Sequence, residues 1–189
     1  KLTEASDYLK INKKAIVTIG ITPTRAETAY GYIKYSKGEL PNKVIKFVEK
    51  PDYNKALEYF NSKEFLWNAG IFVFNNLNMI EEIKNNLYNT YEVLKDLPKN
   101  NIQEFLDENY LKCDKISIDY AVLEHSNQVY TIPASVGWDD IGSWASLERY
   151  LEKDQNENIK KGNVIFLNSS SNVVYAKNKK IILTDVDDD

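Results

Sequence analysis

Residues 15–21 read Ala-Ile-Val-Thr-Ile-Gly-Ile, an almost unbroken apolar and β-branched run. A run apolar at nearly every position predicts a strand buried on both faces, as in a parallel sheet covered by helices. Residues 30–35 and 43–49 are two further β-rich runs, separated by Gly38, Pro41 and Asn42, and predict a hairpin with a longer loop. Asp52, after Pro51, is placed to cap a helix whose face carries Tyr53, Leu57 and Phe60. Residues 69–74 predict another buried strand. Beyond them Ile80, Ile83, Leu87, Tyr91 and Leu94 recur at steps of three and four, the stripe of one long amphipathic helix. Ile102, Phe105 and Leu106 predict a shorter helix, and Ser117 starts a helical turn with Ile118, Ala121 and Val122 on one side. Residues 128–132 predict a strand. Residues 143–153 predict a helix with Trp144, Leu147 and Leu151 inward.

Strands alternating with helices point to an α/β sheet of at least three layers. After Gly162 the pattern changes to short β runs at 164–167, 173–176 and 181–184, spaced as in a β-solenoid or small sheet. The expected organisation is therefore a catalytic-type α/β region over 1–158, followed by the start of a β-rich region over 159–189.

Composition narrows the function. Hydrophobic residues make up 43% and charged residues 28% of 189, with a net charge of −4, so no global charge draws the molecule to nucleic acid or an anionic membrane. The single cysteine, Cys113, excludes an intramolecular disulfide and a thiolate zinc site, and suits a reducing cytoplasm. The single histidine, His125, lies among polar residues near a helix end, which argues against Ser–His or Cys–His catalysis.

Four segments carry candidate chemistry. In Tyr30-Gly31-Tyr32, a glycine inside a strand start marks either a bulge or a place where a backbone or ligand approaches closely. In Phe47-Val48-Glu49-Lys50-Pro51, a carboxylate at a strand end can accept from sugar hydroxyls and a lysine can serve as a point charge for phosphate; a solvated strand end is the plainer alternative. In Trp67-Asn68-Ala69-Gly70, an amide that donates and accepts suits a sugar hydroxyl, or could close a turn. Gly137-Trp138-Asp139-Asp140-Ile141-Gly142-Ser143-Trp144 sets two carboxylates between glycines after a strand, where α/β sheets bind ligands and where Mg²⁺ could find a hard oxygen ligand. Either aspartate could instead cap a helix.

Together with Thr18-Ile19-Gly20-Ile21-Thr22-Pro23-Thr24-Arg25, Glu27-Thr28-Ala29 and Ser117-Ile118-Asp119-Tyr120-Ala121-Val122-Leu123-Glu124, these segments resemble the bacterial mannose-1-phosphate guanylyltransferases of the sugar nucleotidyltransferase superfamily. The resemblance runs from about Lys14 onward. It implies a Rossmann-like nucleotide-diphospho-sugar transferase fold, with a mixed, mainly parallel sheet and helices on both faces. It also implies a reaction: mannose 1-phosphate and GTP give GDP-mannose and pyrophosphate, with Mg²⁺. Carried over, Tyr30 and Gly31 would line the sugar, Glu49 would take its hydroxyls, Lys50 would hold its phosphate, Asn68 and Ala69 would bind sugar, and Asp140 would ligate the metal. Asp119 and Arg25 stand in family motifs with less defined roles.

The chain departs from that pattern in lacking the family's Gly-rich phosphate signature and the aspartate that would share the metal. The chain starts at Lys1, so an upstream segment carrying both is expected, and the polypeptide alone is expected to show no turnover. A sheet without its first strands would expose an edge, from which self-association or a homodimer is expected. Two alternatives remain open: a nucleotidyltransferase for another sugar or base, or a non-catalytic sugar-phosphate-binding subunit or remnant.

Overall fold

The computed structural model describes residues 1–142 and 150–188, in two compact units, Lys1–Trp138 and Asp139–Asp189. The expected boundary at 158/159 falls inside the second unit. The helix expected over 143–153 lies mostly outside the described residues. Among the described residues no helix is long and apolar enough to cross a membrane.

The first unit is built on strands β1 (Ile16–Ile21), β2 (Tyr32–Tyr35), β3 (Asn42–Val48), β4 (Phe65–Phe74) and β5 (Val129–Ala134), in the order β1-β4-β2-β3-β5, with β5 returning to β1 to close the sheet. The β1–β5 pair is parallel; β1–β4, β2–β3, β2–β4 and β3–β5 are antiparallel. The sheet is thus mixed but mainly antiparallel, which corrects the mainly parallel expectation. Continuous apolar runs record burial on both faces, and a closed sheet with helices packed on it buries both faces whatever the strand direction. Closure also corrects the expected unpaired edge, because β1 is flanked by β4 on one side and β5 on the other.

β1 is buried along its whole length, as its sequence requires. Val17, Ile19 and Ile21 join Tyr32, Trp67 and Ile132 in one core cluster, whereas Ile16 joins Ile33, Phe47, Leu66 and Val122 in a second. Alternate side chains of a strand point to opposite faces, so one sequence run feeds two cores.

Five α-helices are described: α1 (Leu2–Ile11), α2 (Tyr53–Ser62), α3 (Asn76–Asn86), α4 (Tyr88–Leu94) and α5 (Ile102–Asn109). Helix α1 has no counterpart among the elements expected from sequence. Its sequence is largely polar, with Ala5 fully buried and Tyr8 and Leu9 packed against the first cluster. Helix α2 is capped by Asp52, whose side chain accepts from the Lys55 N–H at 3.0 Å. Replacing Asp52 with alanine should lower the midpoint of denaturant unfolding, since one orphan donor of the first turn loses its acceptor. The buried face of α2 is Ala56 and Tyr59, not the expected Tyr53, Leu57 and Phe60. Tyr59 stacks on Phe65 at 4.0 Å between ring centroids, a partner more than a helical turn away in sequence that the periodicity could not name.

The single long helix expected from Ile80 to Leu94 is two. Leu87 (φ −141°, ψ 51°) ends α3 with its N–H bonded to the Ile83 carbonyl and precedes α4. No glycine or proline marks this break. Leu87 packs against the cluster containing Met79 and Ile83, and Asn86 turns its amide back to the Glu82 carbonyl at 2.9 Å.

The second unit contains β6 (Ile159–Leu167) and β7 (Val173–Thr184), paired in parallel. Parallel neighbours normally need a long crossover. Here the chain turns through residues 168–172 and lies down beside its own start: Ile159 faces Val173, and Val164 faces Ile181. The runs expected as separate strands at 173–176 and 181–184 fall within β7. Positive φ recurs at facing corners, at Asn168 and Asp185 and again at Ser171 and Asp188. Inside, Asn158 and Asn172 are fully buried and stacked: Asn172 donates to Asn158 Oδ1 at 2.9 Å and to the Val186 carbonyl at 2.9 Å, while Asn158 donates to the Ser169 carbonyl at 2.9 Å. Each buried amide is thereby satisfied by the next turn of chain.

Candidate functional site

Four of the sequence-nominated residues converge in the first unit: Gly31, Glu49, Asn68 and Asp119. β3 ends at Val48, and the chain then bends sharply, with Lys50 at φ 44°. Glu49 and Lys50 therefore do not splay to opposite faces as they would in a continuing strand; Lys50 Nζ lies 3.5 Å from Glu49 Oε1. The Glu49 side chain is only 9% exposed, whereas that of Lys50 is 59% exposed. The Glu49 backbone is pinned from both sides, its N–H donating to Glu124 Oε1 at 2.9 Å and its carbonyl accepting from the Tyr120 hydroxyl at 3.4 Å.

Gly31 settles what its segment left open. A Cβ there would lie 2.5 Å from Glu49 Oε2 and 3.3 Å from Asn68 Cβ, so glycine makes room for a carboxylate. That oxygen is buried and has no hydrogen-bond partner among the described residues. Burial, reinforced by the nearby Asp119 charge, raises the Glu49 carboxyl above its ordinary value of 4.5, with Lys50 opposing. A buried acceptor without a donor among the described residues calls for a partner, and a ligand hydroxyl would be one.

Asn68 is aimed by a bulge in β4. Thr18 faces Phe72 and Gly20 faces Asn68, so the residues between are looped out, and Gly70 adopts φ 67° at the crest. A bulge of this kind redirects a side chain. Asn68 Oδ1 accepts from Thr18 Oγ1 at 3.0 Å and from the Gly70 N–H at 3.2 Å; its Nδ2 donates to Asp119 Oδ1 at 3.2 Å. Asp119 opens a π-helical turn, Asp119–Leu123, whose Ala121, Val122 and Leu123 are buried. The expected helical turn is thus a π-turn, a geometry common at functional sites.

Tyr30 and Ala69 are buried beside this cluster. Tyr30 meets Trp67 and Trp138 edge-on at 5.1 and 5.4 Å, and Arg25 lies 5.1 Å from the Trp67 ring while donating to the Tyr30 hydroxyl at 3.2 Å. Arg25 also pairs with Glu27 at 3.2 Å. These contacts make Arg25 a brace of the aromatic wall.

Asp140 lies in the second unit and is exposed, its carboxylate 3.7 Å from where a Gly142 Cβ would sit. Its neighbour Asp139 accepts from the Tyr150 hydroxyl. Among the described residues no group of three His, Cys, Asp or Glu is disposed to hold a metal ion, so Asp140 stands as one carboxylate and not as a complete site. His125 is exposed. A hollow of about 420 Å³ on α3 and α4, lined mostly by apolar side chains such as Ile80, Ile83, Leu87 and Leu94 with Thr90 and Lys95 beside them, contains none of the candidate residues. Sequence reading missed Thr18, Tyr120 and Glu124 as supports of the site. Each sits within or beside a quoted motif, but only long-range contact shows what it holds.

The description "Nucleotidyl transferase" belongs to the family model that matches residues 2–157. The chain belongs to that family. Among curated members, the mannose-1-phosphate guanylyltransferase RfbM of Salmonella typhimurium is 39% identical over 185 residues, covering 92% of this nucleotidyl transferase chain and 37% of its own length. The alginate biosynthesis protein AlgA of Pseudomonas fluorescens is 33% identical over 181 residues, covering 91% and 38%. A solved structure from Thermus thermophilus, described as a mannose-1-phosphate geranyltransferase, superposes with a TM-score of 0.78 at 34% identity, covering 98% of this chain and 55% of that one. The chain thus spans less than two fifths of the length of these two curated relatives.

Proposed function

We propose that this chain forms the sugar-phosphate pocket of a mannose-1-phosphate guanylyltransferase, which joins mannose 1-phosphate to the guanylyl group of GTP and releases pyrophosphate. The observation that carries the reading is the buried, unpartnered Glu49 Oε2 held against Gly31. It is an acceptor shaped for a sugar hydroxyl. The relatives' names supply the sugar and the nucleotide.

In this reading the sugar lies over the Gly31 backbone, with Tyr30 and Ala69 as its wall. Glu49 and Asn68 hold its hydroxyls, and Asp119 orients Asn68. Lys50, exposed beside Glu49, meets the phosphate as a point charge. The sugar phosphate oxygen attacks the α-phosphorus of GTP in line, so no protein nucleophile is needed and these residues contribute positioning and charge. Asp140 would be one carboxylate ligand of Mg²⁺, an ion commonly held by one or two carboxylates plus substrate phosphates, and the ion would supply charge neutralisation. No glycine-rich phosphate loop occurs in the 189 residues, so this polypeptide by itself should form no GDP-mannose from the two substrates. Chromatographic assay of the reaction checks that, and measurable turnover would refute it. Residues 159–189 are read as a β-solenoid-like region, on the strength of their spring-like parallel coil. The single cysteine accords with a reducing cytoplasm.

Calorimetric titration of the chain with mannose 1-phosphate tests the pocket. A hydroxyl donating to Glu49 favours the ionised carboxylate. Affinity should therefore be full above the raised Glu49 value and weaken as pH falls through it, starting above the ordinary 4.5. Because the ligand's phosphate titrates too, the comparison is with Glu49→Gln, in which that component of the pH dependence should vanish and affinity at neutral pH should fall about tenfold or more. Identical pH profiles for the two proteins would remove Glu49 from the site.

A further inference from the structure

Asn68 can face a ligand in only one way. The Gly70 backbone N–H can only donate, so the Asn68 atom 3.2 Å from it must be the oxygen. An ionised Asp119 can only accept, so the atom 3.2 Å from its Oδ1 must be the nitrogen. Thr18, fully buried in β1, adds its hydroxyl to the same Asn68 oxygen at 3.0 Å. Among the described residues Oδ1 has two donors and Nδ2 one acceptor, which leaves the amide a single free capacity, one N–H. Glu49 Oε2, beside the same Gly31 Cβ position, has no partner among the described residues and as a carboxylate oxygen can accept.

We infer that Thr18 is a positioning residue which locks Asn68 as a pure donor, so that the pocket reads one sugar hydroxyl oxygen through Asn68 and one hydroxyl hydrogen through Glu49. This rests on the sugar-phosphate reading of the site. Its consequence is selectivity for hydroxyl geometry: an epimer or deoxy analogue leaves either the Asn68 N–H or the Glu49 oxygen buried without a partner. A phosphate group alone does not use the lock.

The test compares the 189-residue chain with Thr18→Val, which keeps shape and removes the hydroxyl, and Thr18→Ser, which keeps the hydroxyl and removes a methyl. Affinities for mannose 1-phosphate, glucose 1-phosphate and inorganic phosphate are measured by calorimetry, and folding is checked by thermal unfolding. Thr18→Val should weaken mannose 1-phosphate binding about tenfold, narrow its preference over the glucose epimer and leave inorganic phosphate binding unchanged. Thr18→Ser should behave as the parent. Parent-like binding by Thr18→Val, or equal loss in both variants, would overturn the inference, the second result assigning the effect to packing. If the parent itself binds no sugar phosphate, the functional reading fails, and the lock is judged by NMR of the Asn68 side-chain amide. Altered shifts of the two Asn68 amide protons in Thr18→Val, with parent-like shifts in Thr18→Ser, support it; unchanged signals in Thr18→Val overturn it.

Discussion

Replacing Gly31 with alanine is expected to reduce mannose 1-phosphate affinity about a hundredfold while leaving the chain folded. The new methyl would stand 2.5 Å from Glu49 Oε2, inside the contact distance of any real pair, so the carboxylate must leave its place. Asn68 Cβ at 3.3 Å narrows the room for adjustment further. The atom in conflict is the end of a side chain and not backbone, and Gly31 needs no left-handed φ, so the strain is relieved by moving Glu49 at small cost to stability. What is lost is the acceptor in position, and hydrogen bonds to a charged group are worth about 1.5–3 kcal/mol each. Calorimetry should show the loss at neutral pH, with a melting temperature close to the parent's. If Gly31→Ala binds the sugar phosphate as the parent does, the ligand does not occupy the space between Gly31 and Glu49.

Gly162→Ala should have the largest effect on stability, in the second unit. At Gly162 φ is +98°, a region that costs an alanine backbone strain, and its Cβ would fall 1.9 Å from the Ala176 carbonyl oxygen. Unlike Glu49 at Gly31, this obstacle is backbone on the neighbouring coil. Gly162 faces Ala176 in the β6–β7 ladder, so the two strands must part where they pair. The expected loss is on the order of 4 kcal/mol, among the large values seen when backbone strain and a steric conflict coincide. Hydrogen exchange read along the chain should show protection falling within residues 159–184, with the first unit's sheet unaffected. Gly38→Ala is the control, since no atom lies within 4 Å of its Cβ position and it has no unusual φ. Equal protection in the two variants would mean that the coil tolerates a Cβ at its corner.

Much of this molecule was legible from residues alone. Double burial of β1, the hairpin of β2 and β3, the Asp52 cap and the grouping of Gly31, Glu49, Asn68 and Asp119 follow from local pattern, turn chemistry and motif. Burial periodicity is a property each segment carries by itself, because a strand or helix shows which of its own positions avoid water. What the pattern could not carry was the partner. A run apolar at every position fits parallel and antiparallel neighbours alike, so the sheet's direction and closure were decided only when β4 and β5 came to flank β1. An unbroken stripe from Ile80 to Leu94 gave no hint of a break at Leu87, because the break serves packing and not local propensity. The same holds at the site. The sequence placed an amide at 68 and a carboxylate at 49; the donor and acceptor each presents was set by Thr18, Gly70, Asp119 and Gly31, groups distant in sequence or placed by a bulge. A side chain's residual hydrogen-bonding capacity is what remains after its neighbours are satisfied, and only the tertiary structure decides who those neighbours are.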